Sequence, residues 1–328
     1  MRLRLVVPPD VDQPTGGNVY DLALARELER AGHVVEVVRC SSAGLSDVVR
    51  RPWGGRTLVD GLLACPSPEA MEGSGAAVLV HMPLAWDPTL SHAVAAELDG
   101  YEGRTLREAS VVVATSAWSA AELRRRHRLD AVAVARPGVD PAPVVDGSEP
   151  PLLVQVAALL PHKDQLAVVV ALHRSADLPW RARLVGSADR DPSYAAAVRA
   201  AVQAAGLGGR IEIAGVLDRD AAWQGADLAL LPSRAEAFGL VVTEALARGV
   251  PAVVSAGGAE EALTTGADGE PPGVVVPPGD VDALADAVRR WLVDAAYRDA
   301  LRGRALARRA ALDGWDVTAR QVVAALAD

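Results

Sequence analysis

Residues Pro232–Pro251 read PSRAEAFGLVVTEALARGVP, and the order of signals in this stretch decides the fold. An apolar run, Asp227–Leu231, leads into a loop that holds Glu236. The small turn Phe238–Gly239–Leu240 follows, then a helical segment carrying Glu244, then the stop Gly249–Val250–Pro251. Glycine tolerates the left-handed cap conformation, and a proline two residues on cannot continue a helix. A helix beginning near Gly239 has first N–H groups without intrahelical partners, beside a residue with no side chain to block access. That describes an anion site. Two carboxylates flank it, Glu236 from the loop and Glu244 from the second helical turn.

Carboxylates repel phosphate, so hydroxyls are their natural partners. Hydroxyl-binding acids around a phosphate-binding helix end point to a ligand with sugars on both sides of a diphosphate, a nucleoside diphosphate sugar. Taken alone, the acids read as a solvated loop residue and a helix-face residue. The context PS…E-FG-L…EALA-G-P resembles the E-x7-E signature of the retaining glycosyltransferases of family 4 (group 1), which have the GT-B fold. Glu236 matches the first acid, Glu244 the second, and Phe238, Gly239 and Leu240 the intervening turn.

The 328 residues are 50% hydrophobic and 23% charged, a globular composition whose length favours two domains. A formal charge of −9 argues against general nucleic-acid binding. Cys40 and Cys65 are too few for a disulfide framework and fit a reducing compartment. MRLRLVVPP has an apolar run too short for a signal peptide and reads as a strand, and no apolar run approaches a bilayer span. The expectation is a soluble, cytoplasmic protein.

Working outward, Leu3–Val7 reads as a buried strand, followed by a loop with Thr15–Gly16–Gly17 and a helix from Asn18 to Ala31. Val19, Leu22, Ala23, Leu28 and Ala31 form its apolar face. Gly32 stops it, and Val34–Val38 is the next strand, which completes a Rossmann-type unit. The loop lacks GxGxxG, so a dinucleotide site has little support. The resemblance implies that Gly16 and Gly17 face the donor across an interdomain cleft; the competing reading is a tight turn without a ligand. Ala77–Val80 is a strand ending at His81, at the carboxyl edge where α/β sheets place ligands. His81 resembles the family's cleft histidine near the transferred sugar, against a strand-end histidine bonded to backbone. Ala109–Thr115 reads as a strand, and Ser116 caps the helix Ala117–Arg126. The Arg124–Arg128 run suits a helix C-terminus, with a membrane-surface patch as the alternative. Val132–Ala135 leads to Arg136–Pro137–Gly138–Val139–Asp140, which resembles the family's NGVD turn with Arg136 and Pro137 as departures.

Pro141–Pro151, PAPVVDGSEPP, reads as a linker. Beyond it strands and helices alternate again, at Leu152–Val156, Arg183–Val185, Tyr194–Ala205 and Ile211–Ala214, a second Rossmann-like domain. In the family the turn after the first strand here carries an Arg and, five positions on, a Lys, both gripping the diphosphate. Lys163 matches the Lys; the Arg position is Ala158, with His162, Arg136 and Arg234 as candidate replacements. Asp189–Arg190–Asp191 and Asp218–Arg219–Asp220 each spell D-x-D, a metal motif elsewhere, but sit at helix starts and read as structural. No His/Cys cluster has metal spacing. Ala256–Glu261 resembles the family's Gly-rich turn, with Gly257 and Gly258 as weaker candidates. Val281–Leu292 is an amphipathic helix, and Trp315–Asp316 opens a last helix, Val317–Ala327, which the resemblance brings back onto the N-terminal domain.

The expectation is therefore an α/β protein of GT-B architecture, two Rossmann-like domains facing a cleft. Residues 1–145 would bind acceptor, 146–311 nucleotide sugar, and 312–328 would form the returning helix. The resemblance implies a metal-independent, retaining, hexosyltransferase-type enzyme without a cofactor. Glu236 and His81 would act at the sugar, and Lys163, Phe238, Gly239, Leu240, Glu244, Gly16 and Gly17 at the donor. Acceptor loops would be Asp10–Asn18, Ser41–Pro68 and Pro83–Tyr101; a small soluble acceptor is favoured and a lipid stays open. Two other readings remain: a catalytically silent nucleotide-binding protein, motivated by Ala158, and, below it, a dinucleotide-dependent oxidoreductase. An epimerase sharing the fold ranks lower, because it lacks the E-x7-E context.

Overall fold

The computed structural model describes residues 1–87, 89–264 and 269–327. The chain divides into two compact units, Met1–Val139 with Asp313–Asp328, and Asp140–Leu312. Each is an α/β unit on a six-stranded parallel sheet. Inner strands of such sheets are covered on both faces, which is why Ala77–Val80 and residues 228–231 are apolar throughout.

In the first unit the strands are β1 Arg2–Val7, β2 Val34–Arg39, β3 Arg56–Asp60, β4 Ala77–Val80, β5 Val112–Ala114 and β6 Ala133–Val134. Their spatial order is β2-β1-β3-β4-β5-β6. The chain goes out from β1 to β2 and returns past β1 to β3, so a crevice opens at the carboxyl ends of β1 and β3. The stretch Ser41–Pro68, expected as one acceptor loop, contains β3. The expected strand Ala109–Thr115 shortens to β5. The loop expectation Pro83–Tyr101 runs into the helix His92–Glu108, and its Pro88 lies outside the described residues.

After β1 comes the helix Gly16–Arg30, whose cap Thr15 accepts a hydrogen bond from the Asn18 N–H at 3.2 Å. Gly16 and Gly17 thus lie in the first helical turn and not in a loop ahead of it. The buried face is Tyr20, Asp21, Ala23, Leu24, Ala25 and Leu28, whereas Leu22, expected inside, is 40% exposed. The final helix, Trp315–Ala327, packs on this one, with Trp315 edge-on to Tyr20 at 5.7 Å between ring centroids. Thr318 Oγ1 donates to the Arg136 carbonyl at 2.7 Å. Gly138 permits the close approach: a Cβ there would stand 2.3 Å from the Trp315 nitrogen.

The second unit holds β7 Leu152–Val156, β8 Arg181–Val185, β9 Ile211–Gly215, β10 Ala226–Leu231, β11 Ala252–Ser255 and β12 Gly273–Val276, in the order β12-β11-β10-β7-β8-β9. The chain goes from β7 out to β9 and returns past β7 to β10, so here the crevice lies at the carboxyl ends of β7 and β10. Pro141–Pro151 is not a free linker. The Val145 N–H donates to the Arg248 carbonyl at 3.2 Å, and Arg309 and Arg302 donate to the Ala142 and Val145 carbonyls. Asp227 accepts from the Ser148 N–H at 3.0 Å, the Ser148 hydroxyl at 3.1 Å and the Leu152 N–H at 2.8 Å. Asp191 and Asp218 cap helices through the Tyr194 and Ala221 N–H groups, the structural role read for both D-x-D motifs. In the Arg124–Arg128 run, Arg125 pairs with Glu122 and Arg126 with Asp99. Among the described residues no helix is long and apolar enough to cross a membrane.

Candidate functional site

At the β7/β10 crevice the turn after β7 ends in a single 3₁₀ turn, Pro161–Lys163, closed by Asp164 at φ 55°. Buried glutamines hold this turn: Gln155 donates to the Lys163 carbonyl at 2.8 Å and Gln165 to the Ala158 carbonyl at 3.0 Å. Lys163 Nζ is thereby placed 2.7 Å from Glu236 Oε2 on the loop after β10. A second link ties turn and loop together, since Arg234 donates its N–H to the His162 carbonyl and its Nε to Asp164, at 2.8 and 2.7 Å. The side chains of Lys163 and Glu236 keep 20% and 17% exposure. Both ends of the pair thus keep some surface open to a ligand.

Beyond Glu236 the loop enters the helix Leu240–Ala247 through Gly239 at φ 85°. No side chain caps this helix, so its first amides keep the anion-binding character read from the sequence. An anion at such an end gains about 0.3–1 kcal/mol, more where partly buried. Phe238 departs from the expectation: its ring is 6% exposed and joins the core with Leu231, Val242 and Ala259, leaving only its backbone for a ligand. Gly258, at the start of the next helix, brings that helix against the loop; a Cβ there would be 2.1 Å from the Ala237 carbonyl oxygen and 2.6 Å from that of Glu236.

Glu244 sits in the second helical turn at 8% exposure, with Arg219 Nε 3.1 Å from its Oε1. Burial raises the carboxyl above its usual range, against the pull of Arg219 and Arg248. Arg219 also lies 3.4 Å from Asp140. The second acid is therefore charge-paired rather than free, and Arg219, from one of the D-x-D motifs, is a site residue that the sequence reading passed over.

At the β1/β3 crevice of the first unit, His81 follows β4. Its Nε2 lies 3.0 Å from Asp21 Oδ1 and 3.9 Å from Asp60 Oδ2, and both acids are fully buried. Asp21 comes from the helix Gly16–Arg30 and Asp60 is the last residue of β3, where its Oδ1 accepts from the Leu62 N–H at 2.7 Å. Tyr20 meets the imidazole edge-on at 5.1 Å, and Gly17 lies so close that a Cβ would be 3.0 Å from the ring. Burial pushes the His81 pKa down, but the charge and hydrogen bond of Asp21 and the charge of Asp60 outweigh it and lift it to about 9. Burial raises Asp60 to about 7, opposed by His81 and reinforced by Asp21.

The structure gathers Lys163, Glu236, Gly239, Leu240 and Glu244 at one sheet edge of the second unit, and Gly16, Gly17 and His81 at one edge of the first. Of the candidates to replace the missing Arg at Ala158, Arg234 stands beside Lys163 with its side chain 50% exposed. Asp21 and Asp60 were missed. The available signal was an acid inside an otherwise apolar helix face and another ending an apolar strand.

A family model described as "Glycosyl transferases group 1" matches residues 141–308. Over 104 residues the chain is 38% identical to a D-inositol 3-phosphate glycosyltransferase of Kribbella flavida, covering 31% of this chain and 23% of that protein. Over 131 residues it is 34% identical to the lipopolysaccharide core biosynthesis mannosyltransferase LpsB of Rhizobium meliloti, covering 39% and 37%. The chain thus spans well under half the length of these curated relatives. Among solved structures, sucrose-phosphate synthase from Thermosynechococcus elongatus superposes with a TM-score of 0.82 at 22% identity, covering 99% of this chain and 98% of that one. Anabaena HepE in complex with UDP-glucose gives 0.77 at 19%, covering 100% and 99%. At these identities the superpositions establish the shared fold, the GT-B glycosyltransferase architecture.

Proposed function

The chain belongs to the group 1 glycosyl transferases, and from that membership we propose that it moves a hexosyl group from a nucleoside diphosphate sugar to a hydroxyl acceptor, with retention of configuration and without a metal. The observation that carries this is the arrangement around Leu240: Lys163 paired with Glu236 at 2.7 Å, an uncapped helix end, and the buried Glu244 one turn on. Lys163 and the helix amides hold the diphosphate as negative charge builds on it, which is where fixed donors lower a barrier most. Glu244 accepts from the ribose hydroxyls, and Glu236 and His81 bind hydroxyls of the transferred sugar. Gly16 and Gly17, in the first turn of their helix, remain proposed donor residues through their backbone. No side chain here is an evident nucleophile. The bond from the anomeric carbon to the β-phosphate oxygen breaks, the acceptor oxygen bonds on the same face, and its proton passes to the departing phosphate.

The acceptor we propose is a small soluble polyol or glycoside, and the compartment is the cytoplasm, in keeping with two unpaired buried thiols, Cys40 and Cys65. A second reading, a nucleotide-binding protein without transfer activity, draws on Ala158, which has no cationic side chain to grip a diphosphate and whose carbonyl is already bonded to Gln165.

The test is a thermal-shift screen of UDP, GDP, ADP and dTDP and their sugars, with EDTA, on wild type and Glu244→Ala. A ligand at 100 times its Kd stabilises by about 2.7 kcal/mol. One nucleotide should shift wild type and lose its effect in the variant, and hydrolysis of the matching sugar separates enzyme from silent binder. No shift from any nucleotide sinks both readings.

A further inference from the structure

Asp21 Oδ2 and Asp60 Oδ2 are buried and have no hydrogen-bond partner among the described residues. Both belong to residues with no solvent exposure, and Asp21, Asp60 and His81 each bring one polar atom within 4.8 Å of the other two. Two carboxylates buried side by side against one imidazole leave an uncompensated negative charge, which a protein interior does not tolerate at full cost. A proton between the carboxyls removes both the excess charge and the orphaned oxygens at once, since a protonated carboxyl is a donor.

We propose that Asp60 donates a proton across the Oδ2 pair to Asp21, and that Asp21, so fixed, holds His81 by Nε2 as an imidazolium whose Nδ1–H is the donor offered to a ligand. Nδ1 has no partner among the described residues, and the His81 side chain is 12% exposed. Asp21 and Asp60 are then positioning residues. The remaining Asp60 oxygen is engaged by the Leu62 N–H, so its proton belongs on Oδ2. The direction of the shifts agrees, with Asp60 and His81 both holding protons more tightly than usual.

Other titratable groups surround the cluster without replacing any member of it. Tyr20 lies edge-on to the ring, and burial holds its phenol well above its usual value and neutral. Cys65, whose thiol is likewise raised by burial, lies near Asp60. Glu102 is committed to the Leu84 N–H and to His127. Just past β5, the strand beside β4, Thr115 Oγ1 donates to the His81 carbonyl at 3.3 Å.

That Nδ1–H addresses a donor sugar rests on the proposed function; the protonation state does not, so the two fail separately. The measurement is the ¹⁵N imidazole spectrum of the intact protein from pH 6 to 9.5, with the His81 signals assigned by their loss in His81→Gln. Both ring nitrogens should be protonated at pH 7 in wild type. Asp60→Asn should leave this unchanged, because an amide N–H donates to Asp21 as the acid proton does. Asp21→Asn should lower the midpoint by about one pH unit or more. A neutral ring in wild type at pH 7, or Asp60→Asn behaving like Asp21→Asn, overturns the shared proton. So does a stoichiometric Zn²⁺ or Mn²⁺ held by wild type and lost from Asp60→Asn. Should Asp21→Asn fail to fold, wild type and Asp60→Asn decide the question.

Discussion

Replacing Gly258 by alanine tests whether the loop carrying Glu236 is held by backbone contact. The added Cβ would lie 2.1 Å from the Ala237 carbonyl oxygen, where ordinary contact begins at 3.4 Å, so the loop and the helix must part by about 1.3 Å (3.4 minus 2.1). The atoms it meets are main chain, which cannot swing aside as a side chain would. Gly258 is not at positive φ, so the effect is purely steric. Overpacking of this kind costs roughly 1–3 kcal/mol, partly offset by the better helix propensity of alanine. For a unit of this size that is a fall in Tm of roughly 2–10 °C. A displacement of about 1 Å at a residue that positions substrate costs on the order of 100-fold in rate. Gly303 is the control: it lies in the helix Ala295–Arg309, with nothing within 4 Å of a built Cβ. Gly303→Ala should raise stability by about 0.5–1 kcal/mol and leave nucleotide binding unchanged. The measurements are calorimetric melting, nucleotide titration and hydrolysis of the sugar donor that the thermal screen selects. If Gly258→Ala melts and hydrolyses donor like wild type, the loop is not held there and the reasoning fails.

Arg219→Ala should destabilise more than Glu244→Ala, by about 1–3 kcal/mol against less than about 1, because it takes the contacting cation from a buried carboxylate and leaves it the pull of Arg248, whereas the reverse change leaves a 42%-exposed guanidinium to water. Urea unfolding decides, and equal effects refute the asymmetry. Lys163→Ala should cost the fold no more than about 1 kcal/mol yet weaken nucleoside diphosphate binding about tenfold or more, read by titration calorimetry. A weakened nucleoside with no phosphates would contradict the assignment. His81, at about 9 when folded against an ordinary 6.5, contributes stability that is full below 6.5 and lost as pH rises through 9. Asp60 also binds its proton more tightly when folded, at about 7 against 3.8, so its contribution is lost between those values. Unfolding free energy of the first unit should therefore fall from pH 5 to 9.5, less steeply above pH 7 in His81→Gln; a rise across that range refutes the assignment.

What could be read in the sequence was what local chemistry dictates. Gly239 and Gly249 do hold positive φ at the two ends of their helix, and Leu152–Val156 and Ala77–Val80 are strands as read. Strand β3 escaped because Arg56–Asp60 has a short apolar centre that its polar flanks dilute, and parallel strands carry no alternating pattern to mark them. Pro141–Pro151 has the composition of a linker, but what pins it lies far along the chain, at Asp227, Arg302 and Arg309, which no local reading can supply. Asp21 and Asp60 left only a faint local trace, an acid among apolar neighbours, and were passed over. An acid is ordinarily a surface residue, and only the surrounding fold shows that these two are inside it.

The first unit is not one stretch of chain, because the helix Trp315–Ala327 covers the Tyr20 side of the helix Gly16–Arg30. In chain order, residues Asp140–Leu312 form one uninterrupted segment, made after most of the first unit and before its closing helix. The half whose synthesis begins first is thus the half completed second. Until its closing segment arrives, it carries the flank of Tyr20 that Trp315 covers open to solvent.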